Sequence, residues 1–401
     1  MAAAAIEAAG RRKGSCFLEV GRREIGSSFP RVSSRRISGS EHIVSSMSQY
    51  GKLHGHEGCV NTVSFNPAGD LLVSGSDDTN IILWDWLSKT KKLVYPSGHQ
   101  DNVFHARVMP FTDDSTIVTV AADGQNPYYF SIGGSDEYAR LYDMRKFQLD
   151  GSRNTNQPVD TFCPKHLIKG ASARVHITSI AYSYAREILV SYNDELIYLF
   201  QHNIGLGPNP VSAEPEFFNM LDQPQAYRGH RNFRTVKGVS FFGQHDEYVV
   251  SGSDCGNVFI WRKKGGELIR MMNGDKSVVN CIEPHPHFPF MATSGIDNTV
   301  KLWTPAAKKL IMPLPKNAKQ IIAANELERT VHISQATATL SSDVMMHVLR
   351  LLRRRDSEMN IENEPASADL ASDDDEAFDF GFDDAERNER ENSDPRECNM
   401  T

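Results

Sequence analysis

Hydrophobic residues in the body of this chain come in short runs, not in helical stripes. Leu71-Leu72-Val73, Ile81-Ile82-Leu83-Trp84 and Glu247-Tyr248-Val249-Val250 are rich in aliphatic, β-branched and aromatic side chains, with Gly, Asp, Asn and Ser between them. Runs of that length between turn residues predict strands. The texture holds from about Gly51 to Trp303, so an all-β domain is expected over residues 49–306. Other patterns flank it. Residues 1–48 read as a disordered leader. Residues 307–355 read as a helical extension, in which Asp343–Arg355 places Val344, Val348 and Leu352 on one face. Ser342 or Asp343 suits its N-cap, and Arg350 and Arg353–Arg355 suit the negative end of its dipole.

The strand pattern repeats. Ser74-Gly-Ser-Asp-Asp78 leads into Ile81-Ile-Leu-Trp84, Gly133-Gly-Ser-Asp136 into Arg140-Leu-Tyr142, and Ser191-Tyr-Asn-Asp194 into Ile197-Tyr-Leu-Phe200. Ser251-Gly-Ser-Asp-Cys255 precedes Val258-Phe-Ile-Trp261, and Thr293-Ser-Gly-Ile-Asp297 precedes Val300-Lys-Leu-Trp303. Gly-His pairs at His56, His99 and His230 open several units. These units resemble WD40 repeats, each a four-stranded blade of a β-propeller. In that fold the Gly-His histidine, a strand Ser or Thr, the turn Asp and the strand Trp form a buried hydrogen-bonded set. The first blade offers His56, Ser74, Asp78 and Trp84. Elsewhere His99, Asp123, Asp136, Asp194, His230, Trp261, Asp297 and Trp303 take the corresponding positions. Buried His and Asp need partners, so these residues are expected to be scaffolding, not catalytic groups.

The ring does not add up. Turn positions fall at Asp78, Asp123, Asp136, Asp194, Cys255 and Asp297, at intervals of 45, 13, 58, 61 and 42 residues. A blade takes about 40–45 residues. The two long intervals are blades with inserted loops, but 13 residues cannot be a blade. Asn126–Gly134 is second-strand sequence following another repeat's turn, which places a junction of two half-repeats near 125/126. Completing a seven-bladed ring would need roughly 70–80 further residues, about one and a half blades. Disorder or poor packing is expected around residues 110–135, because a propeller protects its sheet edges by closing.

Charge sharpens this division. The chain of 401 residues has net charge −8, yet residues 356–401 alone hold 17 acidic and 3 basic groups, so the remainder is mildly basic. That tail is expected to be disordered, having too little apolar surface to offset ordering entropy. Residues 1–40 hold eight Arg or Lys against three Glu, a composition shared by leaders and transit peptides. The six cysteines are scattered without a Cys-x-x-Cys pair, which argues against a disulfide framework and for the nucleus or cytoplasm. No apolar run is long enough for a membrane span. No phosphate loop, nucleophile elbow or His-Glu-x-x-His motif occurs, so no enzymatic activity and no cofactor are expected. Cys281, His285 and His287 are the best metal candidates, but Pro284 and Pro286 and the lack of a second ligand cluster favour a turn.

Beyond the generic repeat, Tyr50–Phe65, Ser97–Phe104, Gly229–Asn232, Thr235–Gly243 and Cys281–His287 resemble a particular group in loops and irregular turns alike. They are similar to the eighth type of cullin-4-associated WD-repeat factor, in its plant form, over about residues 50–355. The resemblance implies a non-catalytic substrate receptor of a cullin-4 RING ubiquitin ligase, docking on the damaged-DNA-binding adaptor subunit. It implies docking through an aromatic-Asp-x-Arg tail, present here as Tyr142, Asp143, Met144 and Arg145. The substrate protein stays unnamed, and no direct nucleic-acid or membrane contact is implied. The alternative is a propeller that binds histones, chromatin or other proteins without ligase docking.

Overall fold

The computed structural model describes residues 21–27, 29–99, 102–108, 117–118, 129–143, 145, 157–168, 175–201, 204–210, 223–243, 245–305 and 313–338. The chain divides into two units, Met1–His332 with Met400–Thr401, and Ile333–Asn399. In the first unit, helices α1 (Pro30–Ser38) and α2 (Glu41–Ser45) precede strand β1 (Met47–His54). The first blade is β2 (Val60–Phe65), β3 (Leu72–Ser76), β4 (Asn80–Asp85) and β5 (Thr90–Pro96). Next come β6 (Arg107–Val108) and β7 (Ile117–Val118), then β8 (Tyr129–Ile132), β9 (Ala139–Asp143) and β10 (Asp160–Phe162). Two further blades follow: β11 (Ile177–Tyr182) to β14 (Gln225–Tyr227) through β12 (Ile188–Tyr192) and β13 (Ile197–Phe200), and β15 (Val239–Phe242) to β18 (Leu268–Asn273) through β16 (Tyr248–Ser251) and β17 (Asn257–Arg262). The last blade is β19 (Val279–Pro284), β20 (Met291–Gly295) and β21 (Thr299–Pro305), closed by β1 pairing antiparallel with β21. Helix α3 (Ala318–Ala338) comes after it.

The local reasons repeat from blade to blade. Strands β2, β11 and β19 carry a register shift at the same place, Val60/Thr62, Ile177/Ser179 and Val279/Cys281, which adds local twist to each innermost strand. Central strands buried on both faces, such as β12 and β16, are near-continuous apolar runs.

Five apolar clusters join six sheets in series. Val73, Ile81, Val103, Ala106 and Val108 join the β6–β7 sheet to the first blade. Trp84 and Val63 meet Ala292 and Leu302 of the last blade. Trp303 and Met291 meet Val250 and Val258. Val249 and Trp261 meet Leu189 and Ile197. Val190 and Tyr192 meet Leu141 and Phe162. Among the described residues no such cluster joins the β6–β7 sheet to the β8–β10 sheet. The first supplies two strands and the second three, in the order β10-β9-β8, with no strand beyond β8 among the described residues. The architecture is an all-β propeller with an incomplete ring and a C-terminal helix.

One expectation needs correction. The leader is not structureless up to residue 48: α1 begins with Pro30, whose fixed φ suits a first turn, and α2 buries Val44 beside Met47, Tyr248 and Trp303. Within residues 307–355 the described residues hold a helix at Ala318–Ala338, ahead of the one expected at Asp343–Arg355. Cys59 is disulfide-bonded, while Cys163, Cys255 and Cys281 are free. The proposed helix at Asp343–Arg355, the acidic tail, Asp123 and most of residues 110–135 lie outside the described residues.

Candidate interaction sites

The first blade assembles its four polar residues into one chain. Trp84 Nε1 donates to Ser74 Oγ at 2.8 Å, and Ser74 Oγ lies 2.7 Å from His56 Nε2. His56 Nδ1 lies 2.9 Å from Asp78 Oδ2. A carboxylate only accepts, so Nδ1 carries the ring proton and Ser74 donates to Nε2. Burial pushes the His56 pKa down against the pull of Asp78. Burial would raise Asp78, but N–H donors from Glu57 and Asn80, with His56, hold its carboxyl below the usual range. Ser74→Ala should strand Trp84 Nε1 and His56 Nε2, costing about 2–3 kcal/mol. The check is the urea midpoint at pH 7, with an unchanged slope confirming that the fold is retained.

Other blades depart from one buried set each, for reasons visible in their residues. His99 is exposed, its backbone N–H donating to Ser97 Oγ at 3.2 Å. Asp136 is half-buried and forks onto Arg140, at 2.9 and 2.5 Å, its repeat having no Gly-His pair. His230 is fully buried edge-on to Trp261, but neither ring nitrogen has a hydrogen-bond partner. Its Asp counterpart is replaced by Cys255, so burial, with the charges of Arg329 and Lys237, pushes its pKa down to about 3. Trp261 Nε1 turns instead to Arg228 O, at 2.9 Å.

The last blade rebuilds the set with charge. Asp275 stands where a Gly-His histidine would, and Lys301 Nζ sits 2.8 Å from Asp275 and 3.2 Å from Asp297. Trp303 Nε1 keeps its bond to Thr293 Oγ1 at 2.9 Å. The preceding blade has a similar buried pair, Lys237 Nζ and Asp254 at 2.5 Å, with burial holding Lys237 down to about 8. Neither lysine belongs to the repeat pattern; for Lys301 the signal is Asp275 in a Gly-His position, while the Lys237 blade keeps its Gly229-His230 pair.

The Cys281, His285 and His287 group is tied to neighbouring carbonyls. His285 Nε2 lies 2.7 Å from Gly69 O, His287 Nε2 lies 3.0 Å from Pro67 O, and Cys281 Sγ bonds Val63 O. Burial pushes His285 down to about 4 and Cys281 up to about 11. The two histidine contacts staple the β19–β20 turn to the β2–β3 turn, and the cysteine contact joins β19 to β2.

The aromatic-Asp-x-Arg tail ends strand β9. Asp143 is buried and stands opposite Tyr129 of β8 in the register, and Tyr142 is half-buried. The Asp143 carboxylate accepts the Arg145 backbone N–H at 3.0 Å, its Nε at 2.9 Å and its Nη2 at 2.8 Å. This bidentate fork aims a guanidinium that stays 55% exposed. In the first blade Leu87 takes that place and is exposed, while Trp86 before it is buried, its Nε1 donating to Gly69 O at 2.9 Å.

These features define a WD40-repeat protein-interaction scaffold. The WD domain, G-beta repeat, matches residues 47–85, 222–262 and 266–304. The chain is 49% identical over 98 residues to Protein ALTERED SEED GERMINATION 2 of Arabidopsis thaliana, covering 24% of this chain and 13% of that protein. It is 52% identical over 80 residues to WD and tetratricopeptide repeats protein 1 of Homo sapiens, covering 20% and 12%. It is 39% identical over 127 residues to DDB1- and CUL4-associated factor 6 of Homo sapiens, covering 31% and 14%. The matched segments thus span 12 to 14% of these relatives' own lengths. Among the described residues no helix is long and apolar enough to cross a membrane.

Proposed function

We propose that this scaffold serves as a substrate receptor of a cullin-4 RING ubiquitin ligase, docking on the damaged-DNA-binding adaptor through Tyr142, Asp143 and Arg145. Its loop sequences favour the eighth type of cullin-4-associated factor, in its plant form, acting in the nucleus or cytoplasm. The observation that carries this reading is the Asp143 fork, which pre-orients an exposed Arg145 at a strand end. A guanidinium held in that way offers directed bonds at an interface with little entropy left to lose. A receptor needs no chemistry of its own, because tethering raises the effective concentration of its substrate. The name of DDB1- and CUL4-associated factor 6 supports this reading by similarity over part of the chain.

The test is a pull-down of the full chain against the adaptor subunit, with circular dichroism on every variant. Arg145→Ala should lower adaptor binding at least tenfold with an unchanged spectrum, and Asp143→Asn should weaken it less. Equal binding by wild type and Arg145→Ala rejects docking through this tail. If the folded wild type binds no adaptor, a propeller for chromatin or other proteins takes its place.

A further inference from the structure

Helix α3 is held on the loops of the β11–β14 and β15–β18 blades by two unlike kinds of contact. Its first turns are apolar: Ala318 is buried in the cluster of Ile197, Phe259 and Trp261, and Ile321 and Ile322 pack beside it. The later turns are held by polar groups. Asn325 Nδ2 donates to Gly229 O at 2.8 Å and lies 3.3 Å from Cys255 Sγ. The Glu328 carboxylate pairs with Arg231. His332 Nδ1 lies 2.8 Å from Asp194 Oδ1, and its ring stacks on Phe233 with centroids 4.4 Å apart. The spacing of three and four residues puts all of these on one helical face.

The seat suits its occupant poorly. Both nitrogens of His230, Arg231 Nε, Asn232 Oδ1 and Arg329 Nη1 are buried at or beside this contact with no hydrogen-bond partner. Buried polar atoms are normally satisfied, so a cluster of unmet ones marks a contact that costs free energy to keep closed. Leu327 and Val331 meanwhile face solvent. Arg231, whose Nη2 also donates to Asp254 O, pairs with a Glu328 carboxylate that stays half-exposed, and this pair is the contact a partner would compete for.

We propose that the loops around Asp194, Gly229–Phe233 and Cys255 form a binding site for a helical segment of a partner protein that presents a carboxylate to Arg231. Helix α3 is its built-in competitor, with Glu328 standing where the partner's carboxylate meets Arg231. The helix is hinged at its apolar first turns and peels from its polar end. The inference is independent of docking through Arg145.

The probe is a fluorescent peptide of residues 316–338, titrated by anisotropy into the full chain. A Glu328→Ala/His332→Ala chain should bind it at least tenfold more tightly than wild type, and adding Arg231→Gln should remove that gain. Equal affinities for wild type and the unlatched chain, or indifference to Arg231→Gln, overturns the proposal. Hydrogen exchange on wild type gives a second test that needs no variant. Amides 328–332 should exchange at least tenfold faster than amides 321–324, and uniform protection along the helix overturns it.

Discussion

Acidification from pH 7 to pH 5 should cost the folded domain about 4 kcal/mol, because two buried histidines must stay neutral. Burial, with the charges of Arg329 and Lys237, depresses His230 to about 3, and burial depresses His285 to about 4. The unfolded chain protonates near the ordinary value of about 6.5. Below that value the unfolded state binds protons that the folded state refuses, so stability falls with pH. Each histidine loses about 2 kcal/mol by pH 5, and the loss continues until the pH reaches the folded value. His56, also depressed by burial, adds in the same direction. Burial raises Asp77 and Asp246, which opposes the trend only as the pH nears the carboxylate range. Urea unfolding followed by the four buried tryptophans at pH 7, 6 and 5 measures this directly. His230→Phe removes an imidazole without partners, so it should flatten the pH slope by about one proton and cost little at pH 7. A midpoint that does not move between pH 7 and pH 5 rejects the neutral-histidine account.

Lys301→Met should cost about 3–5 kcal/mol, the usual penalty for leaving a buried charge uncompensated. Lys301 and Asp275 are almost wholly shielded from water, and Asp297 reaches the same ammonium. Without the lysine, Asp275 keeps its carboxylate among apolar strands or takes up a proton. Either route destabilises the blade that β1 must close. Asp275→Asn in the Lys301→Met background should recover much of the loss, since the two residues act as a unit. Calorimetry on the single and double variants distinguishes this coupling from simple loss of packing, in which case the second change would cost more again.

The short β-rich runs, the turn aspartates and the closing tryptophans are local properties, and a single chain displays them without its fold. For the same reason His56, Ser74, Asp78 and Trp84 could be named together: all four lie within one repeat, and the β3–β4 hairpin with its flanking turns brings them into reach. The 13-residue interval between Asp123 and Asp136 likewise showed that the repeats do not add up to a closed ring. What depended on distant neighbours stayed hidden. Asp194 finds His332 in α3, 138 residues away, in place of a repeat histidine. The position of helix α3 was missed because its later contact face is Asn325, Glu328 and His332, so burial and hydrophobicity do not coincide along it. The helices before β1 were missed because a basic, Ser-rich stretch carries little apolar signal, and Val44 becomes core only where the last two blades meet. Sequence determined which segments become strands and how one blade satisfies its polar groups, since both follow from adjacent residues. Tertiary structure alone decided which charges are buried together, which histidine is left without a partner, and what covers the loops, because each depends on residues from separate blades meeting in space.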